Sequence, residues 1–222
     1  LQTFVRRFSA NASKAKQATS RMKLIEKIKP EDIKPSSRQY PWIRFEYDDK
    51  EKLHRQAVEL DGVSHAFGGG APLFAGFSAT VDAGDRIAII GENGVGKTTL
   101  LRCLAGDLTP SKGTLKWAEK AKPGYFAQDH AALFDADTPL TDWIAEYVRM
   151  GGYEGEDVET LIRGTLGRLL FSGDEVKKPV RVISGGEQGR MLFGSLMLMK
   201  PNVLLMDEPT NHLDMESIES LN

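Results

Sequence analysis

The stretch that decides the fold is RIAIIGENGVGKTTLLRCLAG, residues 86–106. It opens with an apolar run typical of a buried strand and closes with the apolar spacing of a helix. Between these two elements, residues 91–98 match the phosphate-binding pattern G-x-x-x-x-G-K-T in the context that the pattern requires. A glycine loop without a ligand is the alternative, and the agreement of motif and context argues against it. The stretch therefore predicts an α/β fold with a nucleotide phosphate site.

Each residue type in this loop has a chemical reason to be there. The glycines let backbone N–H groups close around a phosphate, and the following helix presents its positive end to the anion. Lys97 would reach the β- and γ-phosphate oxygens, and the Thr98 hydroxyl would bind a Mg²⁺ ion that bridges them. The predicted nucleotide contacts are Gly91, Glu92, Asn93, Gly94, Val95, Gly96, Lys97, Thr98 and Thr99.

A second apolar run, VLLMDEP at residues 203–209, delivers two acids at the end of a predicted strand. We expect Asp207 to lie beside the metal and Glu208 to polarise the attacking water, by accepting its proton or orienting it. Acids at a strand end can also serve only to solvate a loop or to place negative charge at the start of a helix. The pairing with a phosphate loop favours the catalytic interpretation.

A third stretch, VISGGEQGR at residues 182–190, places Ser184 and two glycines directly before an apolar helix pattern at 187–199. This arrangement predicts another helix start that can bind an anion. An ordinary serine cap is the alternative.

Charge is distributed unevenly along the chain. Residues 1–30 carry eight basic residues and one acid, a net charge of +7, and the remaining 21 basic and 30 acidic residues give −9. A heptad pattern over residues 3–28, with rows through Phe8 and Phe4, predicts one helix of a coiled coil whose partner helix is absent. We expect a basic arm on an acidic body, although a solvated coiled-coil surface would carry the same charges.

The order of patterns predicts three segments: a basic helix at 1–30, a connecting segment with a first strand at 31–54, and an α/β body at 55–222. Alternating stretches at 42–47, 56–60 and 76–81 predict strands, and 142–150 and 158–170 predict a helical layer. Lys200 and Pro201 break the longest apolar tract, so we predict no membrane span. The lone Cys103 and the lack of a secretory signal favour the cytoplasm.

These motifs together resemble an ATP-binding cassette. The phosphate loop at 91–98, Gln128 in YFAQD, SGGEQ at 184–188, LLMDEP at 204–209 and HLD at 212–214 follow one another in that family's order. SGGEQGR and DEPTNHLD further resemble the ABC-F proteins, soluble factors with two cassettes joined by a helical hairpin. The resemblance implies a cassette with a β subdomain and a helical subdomain, preceded by a long basic linker helix.

The resemblance also implies roles. Such cassettes pair face to face, so Ser184, Gly185, Gly186 and Glu187 would serve a partner's nucleotide, and the partner would be the parent's first cassette or a second copy. Gln128 would join the Mg²⁺ and water network, with Thr98 and Asp207 as the other metal contacts and Lys97 and Glu208 in catalysis. Phe67 would stack on adenine, although a lone Phe is more often core.

The resemblance implies a function in translation, through ribosome, tRNA and rRNA contacts of the linker, in an ATPase that needs ATP and Mg²⁺. It also implies that this chain stops after the D-loop, so that His212 is not the switch histidine and the chain alone hydrolyses ATP negligibly. Three alternatives remain: the ATPase subunit of a membrane transporter, a chromosome-maintenance ATPase, and a nucleotide-gated binding module without enzymatic activity.

Overall fold

The computed structural model describes residues 39–47, 49–155, 157–211 and 213–221. The predicted linker helix at 1–30 and the residue His212 lie outside these described residues. None of the helices in the described ranges is long and apolar enough to cross a membrane.

Two sheets organise the described residues. The strands are β1 (Gln56–His65), β2 (Phe74–Asp82), β3 (Lys112–Trp117), β4 (Pro123–Phe126) and β5 (Val203–Met206). An antiparallel sheet has the order β2-β1-β3, with Leu60 opposite both Ala79 and Leu115. The other sheet pairs β4 with β5 in parallel, so that the carboxyl ends of both strands meet at one edge. Parallel pairing of this kind places the segments after β4 and β5 side by side.

The helices follow the predicted patterns closely. They are α1 (Lys97–Ala105), α2 (Leu140–Met150), α3 (Val158–Arg168), α4 (Gly185–Met199) and α5 (Met215–Ser220). Short 3₁₀ turns at Asp49–Glu51, Ala131–Phe134, Gly173–Lys177 and Val180–Val182 connect them. The predicted helices in the stretches 142–150, 158–170 and 187–199 are therefore confirmed.

Two hydrophobic cores lie on opposite faces of the β4–β5 pair. One core joins the antiparallel sheet to α1 and β5, and its buried members are Val58, Leu60, Val63, Leu100, Leu101, Leu104 and Leu205. The other packs α2, α3 and α4 around Phe126 and Phe193, whose rings stack 4.5 Å apart. This division corresponds to a β layer and a helical layer, and it confirms the predicted α/β class.

The strands predicted at 56–60 and 76–81 are confirmed as parts of β1 and β2. The strand predicted at 42–47 is wrong, because this segment has no strand pairing and contacts the body in other ways. The Trp42 amide donates to the Arg168 carbonyl at 2.8 Å, and the Phe45 ring packs edge-on against Phe193 at 6.1 Å.

The strand predicted at 86–90 is also absent from the structure. Its isoleucines are not buried: Ile87 is 61 % exposed, Ile89 39 % and Ile90 91 %. A strand needs a neighbour for its backbone hydrogen bonds, and within the described residues no strand is paired with this segment. The chain still enters the glycine loop from it as predicted.

Candidate nucleotide site

The glycine loop has the backbone shape that the phosphate-binding pattern requires. Gly94 and Gly96 adopt left-handed conformations, with φ of 82° and 103°. A Cβ atom at position 96 would lie 3.1 Å from the Phe74 ring and 3.3 Å from the Leu73 Cβ. Glycine at 96 is therefore demanded by both conformation and space. Gly96 is also the N-cap of α1, and no side chain caps this helix start.

Lys97 closes the mouth of the loop. Its Nζ donates to the Gly91 carbonyl at 2.8 Å and to the Glu92 carbonyl at 2.9 Å. These two bonds hold an ammonium group at the loop, beside a helix start that no side chain caps, so positive charge is concentrated there. An anion with several oxygens is the ligand that such an arrangement favours.

Asp207 follows β5 directly and is 3 % exposed. Its amide donates to the Phe126 carbonyl at 3.0 Å, which fixes the backbone at the end of the sheet. Its Oδ2 is buried and has no hydrogen-bond partner in the described structure. A buried carboxylate oxygen needs a partner, so this atom fits a role toward a metal ion or its water.

Thr98 and Gln128 line one polar cavity of about 300 Å³. The other lining residues are Arg102, Asp107, Tyr125, Ala127 and Asp129. Within the described ranges, no group of three or more His, Cys, Asp or Glu side chains could hold a metal by itself. Asp207 is not among these lining residues, so the cavity joins Thr98 and Gln128, and the share of Asp207 in a metal site stays a prediction. A hydroxyl, an amide and a carboxylate suit Mg²⁺ when phosphate oxygens and waters complete its shell.

Glu208 is held in a strained position by two amides. Its φ is 46°, which is uncommon for a residue other than glycine. Gln128 Nε2 donates to its Oε2 at 2.9 Å, and the Asn211 side-chain amide donates to the same oxygen. The Asn211 backbone amide also donates to the Glu208 carbonyl at 3.1 Å. The structure thus joins Gln128 and Glu208, which are distant in sequence.

The Ser184 stretch forms a complete capping box at the start of α4. The Ser184 amide and hydroxyl both donate to Glu187 Oε2 at 2.7 Å, and the hydroxyl accepts from the Glu187 amide at 3.4 Å. The serine-cap alternative is therefore realised. Residues 184–187 are not among the described residues that line the Thr98 cavity. Their role toward a partner's nucleotide stays a prediction.

Arg190 links this helix to the loop after β5, a connection that the sequence did not reveal. Its guanidinium pairs with Asp214, and its Nε donates to the Leu169 carbonyl at 3.0 Å. Asp214 also caps α5 by accepting from the Ser217 amide at 2.9 Å. The segment with the second glycine motif and the segment after Glu208 are therefore held together.

Phe67 lies in the turn between β1 and β2 and is 56 % exposed. It packs edge-on against His65, with ring centroids 4.7 Å apart. The Leu73 amide donates to the His65 carbonyl at 2.9 Å, and Leu73 is the residue that crowds position 96 of the glycine loop. The Phe67 ring is therefore exposed, and it is connected through His65 and Leu73 to the glycine loop, so it is available to stack on a base. Phe67 is not a core residue, and that alternative is excluded.

Comparison with known proteins agrees with this geometry. A family model described as ABC transporter matches residues 74–211, and a second model with the same description matches residues 1–45. The chain is 56 % identical over its whole length to "Probable ATP-binding protein YbiT" of Escherichia coli O157:H7, of which it covers 40 %. It is 36 % identical over 221 residues to mouse "ATP-binding cassette sub-family F member 3", of which it covers 30 %. The predicted resemblance to ABC-F proteins is thus confirmed.

The solved structures agree on the fold. The chain resembles the dimeric cassette MJ0796 in a post-hydrolysis state bound to ADP and Pi, with a TM-score of 0.59 and 18 % identity. That match covers 74 % of this chain and 79 % of the other. A metal-chelate type ABC transporter in an inward-facing conformation gives a TM-score of 0.57 at 20 % identity, over 76 % of this chain and 66 % of the other.

Proposed function

The chain belongs to the ATP-binding cassette family, and on this premise we propose that it binds MgATP in the glycine loop and supplies the catalytic residues for ATP hydrolysis. The observation that carries the proposal is the Gln128–Glu208 hydrogen bond of 2.9 Å beside the cavity that Thr98 lines. The bond joins the Gln128 segment to Glu208, and Thr98, at the end of the glycine loop, lines the same cavity as Gln128. The chain spans 40 % of the length of YbiT, so the activity of a longer parent is part of the proposal.

Lys97 and the loop amides bind the phosphates in this proposal. The Lys97 ammonium already lies at the loop mouth through its two carbonyl bonds, so a phosphate enters a formed site. Thr98, Gln128 and Asp207 would hold Mg²⁺, which supplies charge neutralisation at the phosphate oxygens. Because Asp207 has one oxygen without a partner, it can accept such a contact and lose no existing bond.

Glu208 orients the water that attacks the terminal phosphate. Both amides that hold its carboxylate are donors to one oxygen, Oε2, and this fixes the direction of the other oxygen. A carboxylate fixed in this manner accepts a hydrogen bond from the water. It takes the water's proton as the water oxygen bonds to the terminal phosphate and the bond from that phosphate to ADP breaks. Gln128 connects this group to the metal side, so binding there can adjust the position of Glu208.

Ser184 to Glu187 serve the nucleotide of a second cassette in this proposal. The capping box leaves Ser184 exposed at the start of α4, where the positive end of the helix dipole can meet a phosphate. Arg190 and Asp214 then couple this surface to the segment after Glu208. Such a coupling suits a site that is completed by a partner cassette, either in the same parent chain or in a second copy.

Removal of the Phe67 ring tests the adenine end of the site. We expect Phe67→Ala to weaken ATP binding by about 5- to 150-fold, because stacking of a base on an aromatic side chain contributes about 1–3 kcal/mol. Phe77→Ala is the matched control, since Phe77 is a 40 % exposed ring on β2 outside the turn that carries Phe67. Calorimetric titration with MgATP measures both. Equal affinities for the two variants would contradict the stacking role.

We propose that the parent is a soluble ABC-F factor of the cytoplasm that acts on the ribosome in translation. The support is the sequence similarity to sub-family F proteins and the net charge of +7 on residues 1–30. Arginine and lysine side chains that neutralise RNA phosphates release counterions, and this makes binding dependent on salt.

Replacement of Arg7, Lys14 and Arg21 by glutamine tests the ribosome proposal. Each lost phosphate contact reduces the slope of log affinity against log salt by about 0.7 to 0.9, so three contacts reduce it by roughly 2 to 3. Ribosome pelleting by the parent protein at several salt concentrations gives the slope. A control variant replaces three exposed cations of the body by glutamine: Lys112, Lys116 and Arg149. If both variants keep the slope of the unmodified protein, the arm does not bind RNA.

A further inference from the structure

The side chain of Tyr125 shares a sheet face with Asp207. In the parallel β4–β5 pair, Tyr125 is opposite Leu205 and Phe126 is opposite Met206. Successive strand residues point to opposite faces, so Tyr125, Leu205 and Asp207 lie on one face and Phe126 and Met206 on the other. The two cores agree, because Tyr125 and Leu205 pack in the α1 core and Phe126 and Met206 in the helical core.

On that face, Tyr125 reaches the nucleotide site. Its side chain lines the same cavity as Thr98 and Gln128. The Asp207 carboxylate lies on the same face and is close enough for its charge to act on the Tyr125 hydroxyl. Burial, together with the negative charges of Asp207 and Asp107, raises the pKa of Tyr125 to about 12. A tyrosine hydroxyl can donate one hydrogen bond, so Tyr125 can serve as a donor to Asp207.

Asp207 needs such a donor. Its carboxylate is 3 % exposed, its Oδ2 has no partner, and the bond to Phe126 is made by the backbone and not by the side chain. A buried carboxylate without hydrogen bonds is energetically costly, so its side chain favours an orientation in which a donor can reach it. A single donor on one side would fix the carboxylate plane and leave Oδ2 directed at the incoming ligand.

We propose that Tyr125 is a positioning residue that holds the Asp207 carboxylate in the orientation in which it contacts Mg²⁺ or a Mg²⁺-bound water. The inference rests on the proposed function of the site. Residues that hydrogen-bond to metal-binding carboxylates commonly change metal affinity by 10- to 100-fold when they are replaced. In this proposal the effect of Tyr125 on Mg²⁺ passes through Asp207.

The test is Tyr125→Phe, which removes the hydroxyl and retains the ring that packs in the α1 core. ATP affinity is measured by calorimetry in Mg²⁺ and again in EDTA, and Mg²⁺ is then titrated into the ATP-loaded protein. We expect the affinity for ATP in EDTA to be unchanged and the affinity for Mg²⁺ to fall by about tenfold. Tyr147→Phe is the matched control, because it removes a hydroxyl from another half-buried tyrosine, on α2 in the helical layer.

Each other outcome has a meaning. If Tyr125→Phe loses ATP binding in EDTA, or fails to fold, the hydroxyl is structural and the inference is overturned. If it binds Mg²⁺ as tightly as Tyr147→Phe, the inference is also overturned. A double-mutant cycle with Asp207→Asn adds a second criterion: effects on Mg²⁺ affinity must be non-additive if Tyr125 acts through Asp207. Absence of ATP binding by the unmodified chain under both conditions would instead contradict the proposed function.

Discussion

Replacing Lys97 with alanine is expected to weaken MgATP binding by at least 30-fold and by up to several thousand-fold. Removal of one partner from a buried, hydrogen-bonded charge pair costs about 2–5 kcal/mol, because the phosphate charge loses its ammonium in a desolvated site. The effect on the fold should be small, since Lys97 bonds to carbonyls of the exposed residues Gly91 and Glu92, which water can satisfy. Calorimetric titration of both proteins with MgATP measures the change.

The control for Lys97→Ala is Lys116→Ala, which removes the same charge from an exposed position on β3. It separates the local contact from a general change in the electrostatic field of the protein. Thermal unfolding of the two variants checks that both retain the fold. Equal ATP affinity in the two variants would exclude Lys97 from the phosphate site and with it the proposed function.

The sequence predicted the helices and the loop well, because their signals are local. Gly96, Lys97 and the apolar spacing behind them specify a helix start without any information from the rest of the chain. The same holds for the Ser184 capping box, in which residues three apart satisfy each other. An element whose stabilising contacts lie within a few residues can be predicted from that short stretch of sequence.

Strand predictions failed because an apolar pattern reports side-chain burial, whereas a strand also requires backbone pairing with a neighbour. The alternation at 42–47 correctly reported that Ile43 and Phe45 are partly buried, but they pack on the helical core and pair with no strand. At 86–90 the apolar run is present, and Ile90 is nonetheless 91 % exposed. Periodicity reports which side chains favour a core; it does not supply the neighbouring strand that backbone hydrogen bonds require.

Parts of the site were predictable for the same reason, and others were not. Gln128 and Glu208 each belong to a motif, and the resemblance assigned each of them a role near the metal and the attacking water. The 2.9 Å bond between them was not itself predicted. Tyr125, Arg190 and Asp214 stand inside quoted motifs, but the motifs assigned them no role, because their contacts depend on strand register and on distant segments. The role of Tyr125 can be recognised once the parallel pairing of β4 with β5 is known.

The change Glu208→Gln is expected to lower ATP turnover in the parent by about 10²- to 10⁴-fold and to leave ATP affinity nearly unchanged. General-base assistance contributes rate factors of this size, and an amide cannot accept a proton from water. The glutamine side chain has the same shape, so the left-handed backbone at φ 46° and the surrounding loop can be retained. Its oxygen can still accept from the amides of Gln128 and Asn211.

The separation of turnover from binding is what distinguishes a catalytic carboxylate from a structural one. Phosphate release gives the turnover and calorimetry gives the affinity, with Glu219→Gln as the control because Glu219 is an exposed acid on α5. A loss of affinity equal to the loss of turnover would mean that the Glu208 carboxylate organises the loop after β5 and does not act on water. Turnover at the unmodified rate would assign the attack on the phosphate to another group. Because Gln128 and Asn211 both donate to one Glu208 oxygen, and a glutamine oxygen can accept the same bonds, we expect neither of these outcomes but retained affinity with lost turnover.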